Sequence, residues 1–183
     1  MAEGTQMAKL GLRELMRTGH VRRWHIVRVA REQTIAEHMY RVWLIVSRIV
    51  DDDKFGLDQQ QAILCKEWAL LHDQPEVITG DIPTPSKRRM VEFDINKLEA
   101  SIDSDFGDCY NQLKSLFPQV LAIVKLADLV EMLAFLQIEG LGRHAESVLA
   151  DIDDDFREHL SDAMGRWPDL RWSVFLEVRN GEI

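Results

Sequence analysis

Cysteine is scarce in this chain of 183 residues, which contains only Cys65 and Cys109. The two do not form a CxxC pair, so a disulfide framework or a cysteine-rich zinc site is not expected. The N-terminal residues 1–9 also lack the apolar stretch of a secretory signal. These features favour a protein of the reducing cytoplasm, and we expect that location.

The sequence has no long apolar run without charges. The longest candidate, residues 120–136, is interrupted by Lys125, Asp128 and Glu131, whereas a membrane span needs roughly 18 to 20 apolar residues. The formal net charge of −9 argues against a nucleic-acid partner, because such proteins usually carry a basic face. We therefore expect neither a membrane nor a nucleic acid as a partner.

Positive charge is instead concentrated in two short segments. Five arginines fall within residues 17–31, and Lys87, Arg88 and Arg89 follow one another further along the chain. In an acidic protein such clusters can attract a small polyanion. The alternative is an ordinary solvated surface.

Strand-like alternation of apolar and polar residues is almost absent, and the apolar spacing between the five prolines is helical. With 46% apolar residues the chain can build a full core. We predict an all-α fold in a single domain, residues 1–183. The predicted helices cover about residues 6–17, 34–49, 58–72, 86–104, 118–139, 143–164 and 170–178.

Two helix starts are marked by local signals. Thr34 and Glu37 form a capping-box pattern, in which each side chain bonds the backbone N–H of the other residue. Pro118 suits the first turn of a helix, where no backbone donor is needed. Pro75 is expected to end the preceding helix. Residues 79–85, with two prolines and a glycine, are predicted to form a loop.

Four polar residues stand out against their apolar surroundings. Asp128 lies in a helix that is apolar on most sides, where a carboxylate is costly unless it is paired or binds a cation. His38 follows the capped helix start, and His72-Asp73 ends an apolar helix. Each has a structural explanation when taken alone. Together they offer two nitrogens and two carboxylates, a set that suits zinc, manganese, iron or cobalt rather than calcium.

The order His, His-Asp, Asp resembles the metal pattern of the HD-domain phosphohydrolases, which implies an HD-domain helical bundle. Residues 72–87, HDQPEVITGDIPTPSK, resemble the HDxxEVxTGDxPTPxK stretch of the bacterial 5′-deoxynucleotidases. Residues 23–24 and 36–38 also resemble that family's RW and EH positions. The resemblance covers about residues 10–140 and is specific, because no helix bundle requires the TGDxPTP loop.

The resemblance implies a role for each site residue. The catalytic metal, zinc, cobalt or manganese, is expected on His38, His72, Asp73 and Asp128. Glu76 is expected to act as general acid and base, and Asp81 to orient the attacking water or the sugar. The substrate-binding residues implied are Arg23 and Lys87 for phosphates, Trp24 for stacking, and Ile26 against the purine C2 edge.

Ordinary structural roles compete with these assignments. Trp24 and Ile26 are also compatible with a place in the core, and Glu76 with a helix cap. Lys87 is also compatible with a solvated helix start. The surrounding motif favours the functional assignments.

Within this resemblance the phage dATP triphosphohydrolases, associated with genomes that replace adenine by 2-aminoadenine, fit better than the monophosphatases. His25 stands where the monophosphatases have a proline after the RW pair. The first hypothesis is therefore a dATP triphosphohydrolase, with magnesium on the triphosphate. A 5′-deoxynucleotidase is the second, and a nucleotide-binding regulatory module is the third. The family implies a homo-oligomer, a hexamer in preference to a dimer, in the host cytoplasm if a phage encodes the chain.

Overall fold

A computed structural model of the chain describes residues 9–83, Ser86 and residues 104–182. This part of the chain is helical, and the all-α prediction is confirmed. Its only strand-like pairings are two isolated antiparallel bridges. The helices described are α1 (Leu12–Leu15), α2 (Ile35–Val50), α3 (Gln59–Ala69), α4 (Glu76–Thr79), α5 (Ser104–Leu116), α6 (Pro118–Glu139), α7 (Gly142–Arg166) and α8 (Val174–Arg179).

Helix α2 begins at the predicted position because Thr34 caps it. The Thr34 hydroxyl oxygen accepts a hydrogen bond from the backbone N–H of Glu37 at 3.2 Å. The second hydrogen bond predicted for the capping box, from the backbone N–H of Thr34 to the Glu37 side chain, is wrong. The Glu37 carboxylate instead accepts two hydrogen bonds from the Arg31 guanidinium, at 3.0 and 2.7 Å, because a bidentate charged partner is the stronger one.

Helix α6 forms the centre of the bundle. It packs against α2, α3, α5, α7 and α8, and most of its side chains are buried. Pro118 opens its first turn, as predicted. Two charged residues of this helix, Asp128 and Glu131, are also buried. Buried carboxylates need partners or a cation, so these two point to the functional part of the bundle.

Three predicted helices differ from the structure at their ends, and the last of them, expected over residues 170–178, is α8 at Val174–Arg179. The first was expected over residues 6–17, but in the described residues it is the single turn α1 followed by a 3₁₀ turn, Met16–Gly19. The Glu14 carboxylate accepts a hydrogen bond from the Gly11 N–H at 2.8 Å, which fixes the start at Leu12.

The third helix was expected to run to His72, but α3 ends at Ala69. Beyond it the backbone N–H groups of Leu71 and Gln74 bond to carbonyls three residues back. Nδ1 of His72 also donates a hydrogen bond to the Ala69 carbonyl oxygen, at 3.0 Å. Side-chain capture of a late helix carbonyl favours termination, so residues 70–75 are turns rather than helix.

The predicted helix over residues 86–104 lies outside the described residues apart from its two end positions, and Lys87 lies outside them as well. Across the described ranges, no helix combines the length and apolar character that crossing a bilayer requires.

Candidate active site

His38, which is fully buried, and His72, which is partly buried, each present one ring nitrogen to a common space. Nδ1 of His38 lies 2.7 Å from Oε2 of Glu131, and Nδ1 of His72 lies 3.0 Å from the Ala69 carbonyl oxygen. Because a carboxylate and a carbonyl oxygen only accept hydrogen bonds, each Nδ1 carries the proton. In the neutral form of each ring, Nε2 then keeps its lone pair, and both Nε2 atoms are buried without a hydrogen-bond partner in the described part of the chain.

Two carboxylates face these nitrogens. Oδ1 of Asp128 lies 3.2 Å from Nε2 of His38, and Oδ2 of Asp73 lies 3.5 Å from Nε2 of both histidines. One ligand atom each from His38, His72 and Asp128 fall within 4.8 Å of one another. Imidazole nitrogen with carboxylate oxygen is a donor set for zinc and related divalent ions, and the orphaned Nε2 atoms fit such an ion.

The charges around this space are strongly coupled. Burial tends to raise the pKa of Asp128, but Lys125 and the two histidines outweigh it and hold the pKa well below its usual range. Burial and Arg23 lower the pKa of His38, yet the Asp128 and Glu131 carboxylates raise it more, and the net shift is upward. The His72 pKa is lowered, chiefly by burial. The anionic carboxylates and the neutral His72 ring are the forms that bind a cation.

The structure therefore brings together all four residues predicted as metal ligands. His38 comes from α2, Asp128 from α6, and His72 and Asp73 from the turns after α3. The turns explain how adjacent residues can face one point. Side chains of neighbours in a regular helix diverge by about 100°, and residues 72 and 73 lie outside the helix.

A cavity of about 490 Å³ opens beside the four residues. Its lining includes five residues that the sequence analysis assigned to catalysis or substrate binding, and its size suits a nucleotide-sized ligand. These are Arg23, Trp24, Ile26, Glu76 and Asp81.

Glu76 and Asp81 lie at the two ends of the short helix and loop that follow the histidine-aspartate pair. Glu76 is the first residue of α4 and is only 3% exposed. It is therefore not on the same helix as His72, and the turn at residues 70–75 rather than helical periodicity places it at the cavity. Oδ2 of Asp81 lies 3.9 Å from Nδ1 of His25. Gly80 has φ 71° and ψ 166°, a conformation that only glycine adopts readily, so the TGD loop depends on it.

Arg23 has a buried guanidinium that interacts with the carboxylates of the site, and the residue lines the cavity. Burial lowers its pKa, but Asp73, Asp128 and Asp81 raise it more, so the group stays charged. Nε and Nη1 have no hydrogen-bond partner among the described residues. A buried cation with free donors is poised for an anionic ligand, since unmade charged hydrogen bonds are costly.

Trp24 has φ 63°, the only positive φ of a non-glycine residue in the described part of the chain. Such a conformation is costly and often occurs at binding sites. The indole lies parallel to the Phe135 ring, with centroids 5.8 Å apart, and its Nε1 donates to Gln33 at 2.8 Å. Trp24 is thus both packed on the core and part of the cavity wall. Ile26 is 48% exposed, so it is not a core residue, and it also faces the cavity.

Sequence reasoning assigned no role to three residues that the structure places at the site. Lys125 lines the cavity, with Nζ 2.7 Å from Oδ2 of Asp128. Glu131 and Gln33 are buried behind His38 and Trp24. The positions of Lys125 and Glu131, one helical turn before and after Asp128, are the signal that would have found them.

Comparison with known proteins agrees with this geometry. Residues 12–139 match the family model described as 5′-deoxynucleotidase YfbR-like. The chain belongs to the YfbR-like family of HD phosphohydrolases. The HD-bundle prediction is therefore confirmed.

Two relatives of this YfbR-like chain are named dATP triphosphohydrolase. The protein of Acinetobacter phage SH-Ab 15497 is 35% identical over 92% of this chain and 88% of its own length. The protein of Cyanophage S-2L is 32% identical over 82% of this chain and 83% of its own length.

A solved structure is also similar to the YfbR-like chain. It is described as the Cyanophage S-2L HD phosphohydrolase (DatZ) bound to dA and one catalytic Zn²⁺ ion. Its TM-score is 0.76 at 31% identity, over 85% of this chain and 87% of that one.

Proposed function

We propose that the chain is a metal-dependent dATP triphosphohydrolase, which converts dATP and water into deoxyadenosine and triphosphate. The observation that carries the proposal is the pair of orphaned Nε2 atoms, on His38 and His72, beside two carboxylates at a nucleotide-sized cavity. Two phage relatives that align with most of this chain carry that name. The similar solved structure holds dA and a zinc ion.

The metal ligands proposed are His38, His72, Asp73 and Asp128, and the resident ion proposed is zinc, with cobalt or manganese as substitutes. When bound, such an ion lowers the pKa of a water molecule and neutralises charge on a phosphoryl oxygen. The His38 and His72 rings are already held in the tautomer that leaves Nε2 available.

The reaction breaks the bond between the α-phosphorus and O5′ of the sugar, while a bond forms between the water oxygen and the α-phosphorus. One proton must leave the water, and one must reach O5′. Glu76, at the cavity and almost fully buried, is the residue proposed for this proton transfer. Asp81, also at the cavity, is proposed to orient the water or the sugar.

The triphosphate requires cations. Arg23 offers unused guanidinium donors beside the cavity, and Lys125 adds an ammonium group that the sequence analysis did not assign. Lys87 is proposed as a third cation, and magnesium as the ion that accompanies the triphosphate. These groups supply positive charge where an otherwise acidic protein needs it.

The base is proposed to lie against Trp24 and Ile26. Trp24 offers an aromatic surface that is fixed by Phe135 and Gln33. Ile26 brings an aliphatic side chain into the cavity without being buried in the core. An aliphatic group against the purine C2 edge would exclude the 2-amino group of guanine and of 2-aminoadenine, which fits an enzyme that depletes dATP for a 2-aminoadenine genome.

A 5′-deoxynucleotidase that acts on monophosphates is the second candidate, favoured by the family model. We propose a homo-oligomer: a hexamer, which we favour, for the dATP triphosphohydrolase, and a dimer for the monophosphatase.

Hydrolysis by the zinc-loaded chain, measured separately on dATP, dGTP and dAMP, tests the proposal. The proposal expects turnover of dATP with little of dGTP or dAMP. Turnover of dAMP with dATP untouched would establish the second candidate instead.

A further inference from the structure

Three hydrogen bonds connect the cavity wall to a proposed metal ligand through buried side chains. Nε1 of Trp24 donates to Oε1 of Gln33 at 2.8 Å, and Nε2 of Gln33 donates to Oε1 of Glu131 at 2.6 Å. The other carboxylate oxygen of Glu131 accepts from Nδ1 of His38 at 2.7 Å. Gln33 and His38 are fully buried, and Glu131 is 2% exposed, so water cannot easily replace a lost partner.

The donor and the acceptor of each of these three hydrogen bonds are determined by two groups, the indole of Trp24 and the carboxylate of Glu131. An indole nitrogen only donates, so the Gln33 amide must present its oxygen to Trp24 and its nitrogen to Glu131. A carboxylate only accepts, so Nδ1 of His38 must be the donor to Glu131. The same carboxylate therefore sets the His38 tautomer and the orientation of the amide that holds Trp24.

One backbone hydrogen bond and one side-chain contact connect the same residues to Arg23. The backbone carbonyl of Gln33 accepts from the N–H of Arg23 at 2.9 Å, next to Trp24 in the chain. Nη1 of Arg23 lies 3.7 Å from Oε2 of Glu131. Glu131 itself lies one turn beyond Asp128 on α6. A displacement of Glu131 would thus shift both the proposed metal ligand His38 and the cavity-wall residue Trp24.

We propose that Gln33 and Glu131 are positioning residues that hold the metal ligand His38 and the cavity residue Trp24 in one common arrangement. The inference rests on the proposed function, since it takes the ion and the nucleotide as the ligands at the two ends. Neither residue touches them; each acts through its neighbour. Metal binding and nucleoside binding should therefore respond to the same substitutions.

A single exchange of amide for carboxylate, or the reverse, disturbs the whole series of three hydrogen bonds. In Glu131→Gln, the new amide can present its oxygen to Nδ1 of His38. Its nitrogen then faces the amide nitrogen of Gln33, so two donors meet. If Gln33 turns over, its nitrogen meets the donor of Trp24 instead. In Gln33→Glu, two carboxylates face one another. The double exchange Gln33→Glu with Glu131→Gln restores every donor-acceptor pair and keeps the net charge.

The test uses the full chain and measures two equilibria without turnover. The dissociation constant for zinc is measured on the metal-free protein by competition with a chromophoric chelator, and that for deoxyadenosine on the zinc-loaded protein by calorimetry. Glu131→Gln is expected to raise the zinc constant about tenfold to a hundredfold and the deoxyadenosine constant about fivefold. Gln33→Glu should change both in the same direction, and the double exchange should return both to within about threefold of the wild-type values.

Glu139→Gln is the matched control. Glu139 is a carboxylate of the same helix whose side chain accepts from Arg31 at 3.0 Å, outside the chain of bonds. The Glu139→Gln variant should leave the dissociation constants for zinc and for deoxyadenosine unchanged. Circular dichroism checks that each variant is folded, and the double exchange separates lost bonds from a loss of fold.

The inference is overturned if Glu131→Gln leaves the zinc constant within about twofold of wild type. It is also overturned if the double exchange is no better than the single ones. Both measurements are independent of hydrolysis. A chain that binds zinc and deoxyadenosine but spares dATP would contradict the proposed function while the variants still decide this inference.

Discussion

Nε2 of His38 lies 3.2 Å from Oδ1 of Asp128, although the two residues belong to different helices, α2 and α6. This contact joins the capped start of one helix to the centre of the helix that forms the core. An ion held between them would couple its binding to the packing of the bundle. Metal removal should therefore reduce stability as well as activity.

We expect a chelator to lower the melting temperature of the zinc-loaded chain. At a zinc concentration of about 100 times the dissociation constant the ion adds about 2.7 kcal/mol, which corresponds to a shift of roughly 5 to 10 °C for a chain of this size. Differential scanning calorimetry with and without chelator measures the shift. His38→Ala should melt at the same temperature in both conditions, and a chelator effect in that variant would show that the ion lies elsewhere.

Glu76→Gln should separate proton transfer from metal binding. The exchange keeps the size of a buried side chain but removes its ability to take and give a proton, so kcat should fall by about 10²- to 10⁴-fold. Zinc content, measured by mass spectrometry, should stay at the wild-type level. A variant that keeps its kcat would remove Glu76 from the reaction.

Ile26→Ala should relax base selection. The side chain is half exposed and faces the cavity, so its truncation costs little stability. Removing a steric barrier in a pocket typically changes discrimination by about 10- to 200-fold. The ratio of kcat/KM for dATP to that for dGTP is the measurement. An unchanged ratio would show that the base does not lie against Ile26.

Lys125→Met should weaken phosphate binding more than nucleoside binding. The ammonium group lines the cavity and its partner is Asp128, which an ion would share. We expect KM for dATP to rise about tenfold, as for the loss of one charged contact, with the deoxyadenosine dissociation constant unchanged. Equal losses for both ligands would indicate a distorted pocket rather than a lost phosphate contact.

The pair of Arg31 and Glu37 predicts a pH dependence of stability. The hydrogen bond from Arg31 is the largest influence and lowers the Glu37 pKa below its ordinary value of 4.5. The folded state therefore binds fewer protons than the unfolded one, and the stabilisation is complete above the unfolded pKa and is lost as the pH falls through the folded value. Glu37→Gln should cost about 1 kcal/mol at neutral pH, a difference that should shrink in acid. A constant difference in urea midpoints between pH 7 and pH 3 would contradict this linkage.

Local signals predicted the fold well where a single residue decides an element. Thr34 caps α2 and Pro118 opens α6, as the sequence indicates. The end of α3 could not be predicted, because it depends on the His72 side chain taking the Ala69 carbonyl. The first helix was predicted too long, because apolar spacing alone does not register the local cap between Glu14 and Gly11.

The same limit applies to the site. The motif and the neighbouring RW pair identified five residues that line the cavity, but Lys125, which also lines it, was missed. Gln33 and Glu131 lie behind Trp24 and His38, and their hydrogen bonds to these residues form only when α2, α6 and the segment before α2 are packed together. Glu131 looked like one more charge that interrupts an apolar helix.

Phosphorus-31 NMR of the products from dATP, with the zinc-loaded chain and magnesium present, tests the central claim most directly. The account predicts that the resonances of dATP are replaced by those of intact triphosphate. Orthophosphate or pyrophosphate as the first product would show that a bond other than the one between the α-phosphorus and O5′ is cleaved, and would contradict the account.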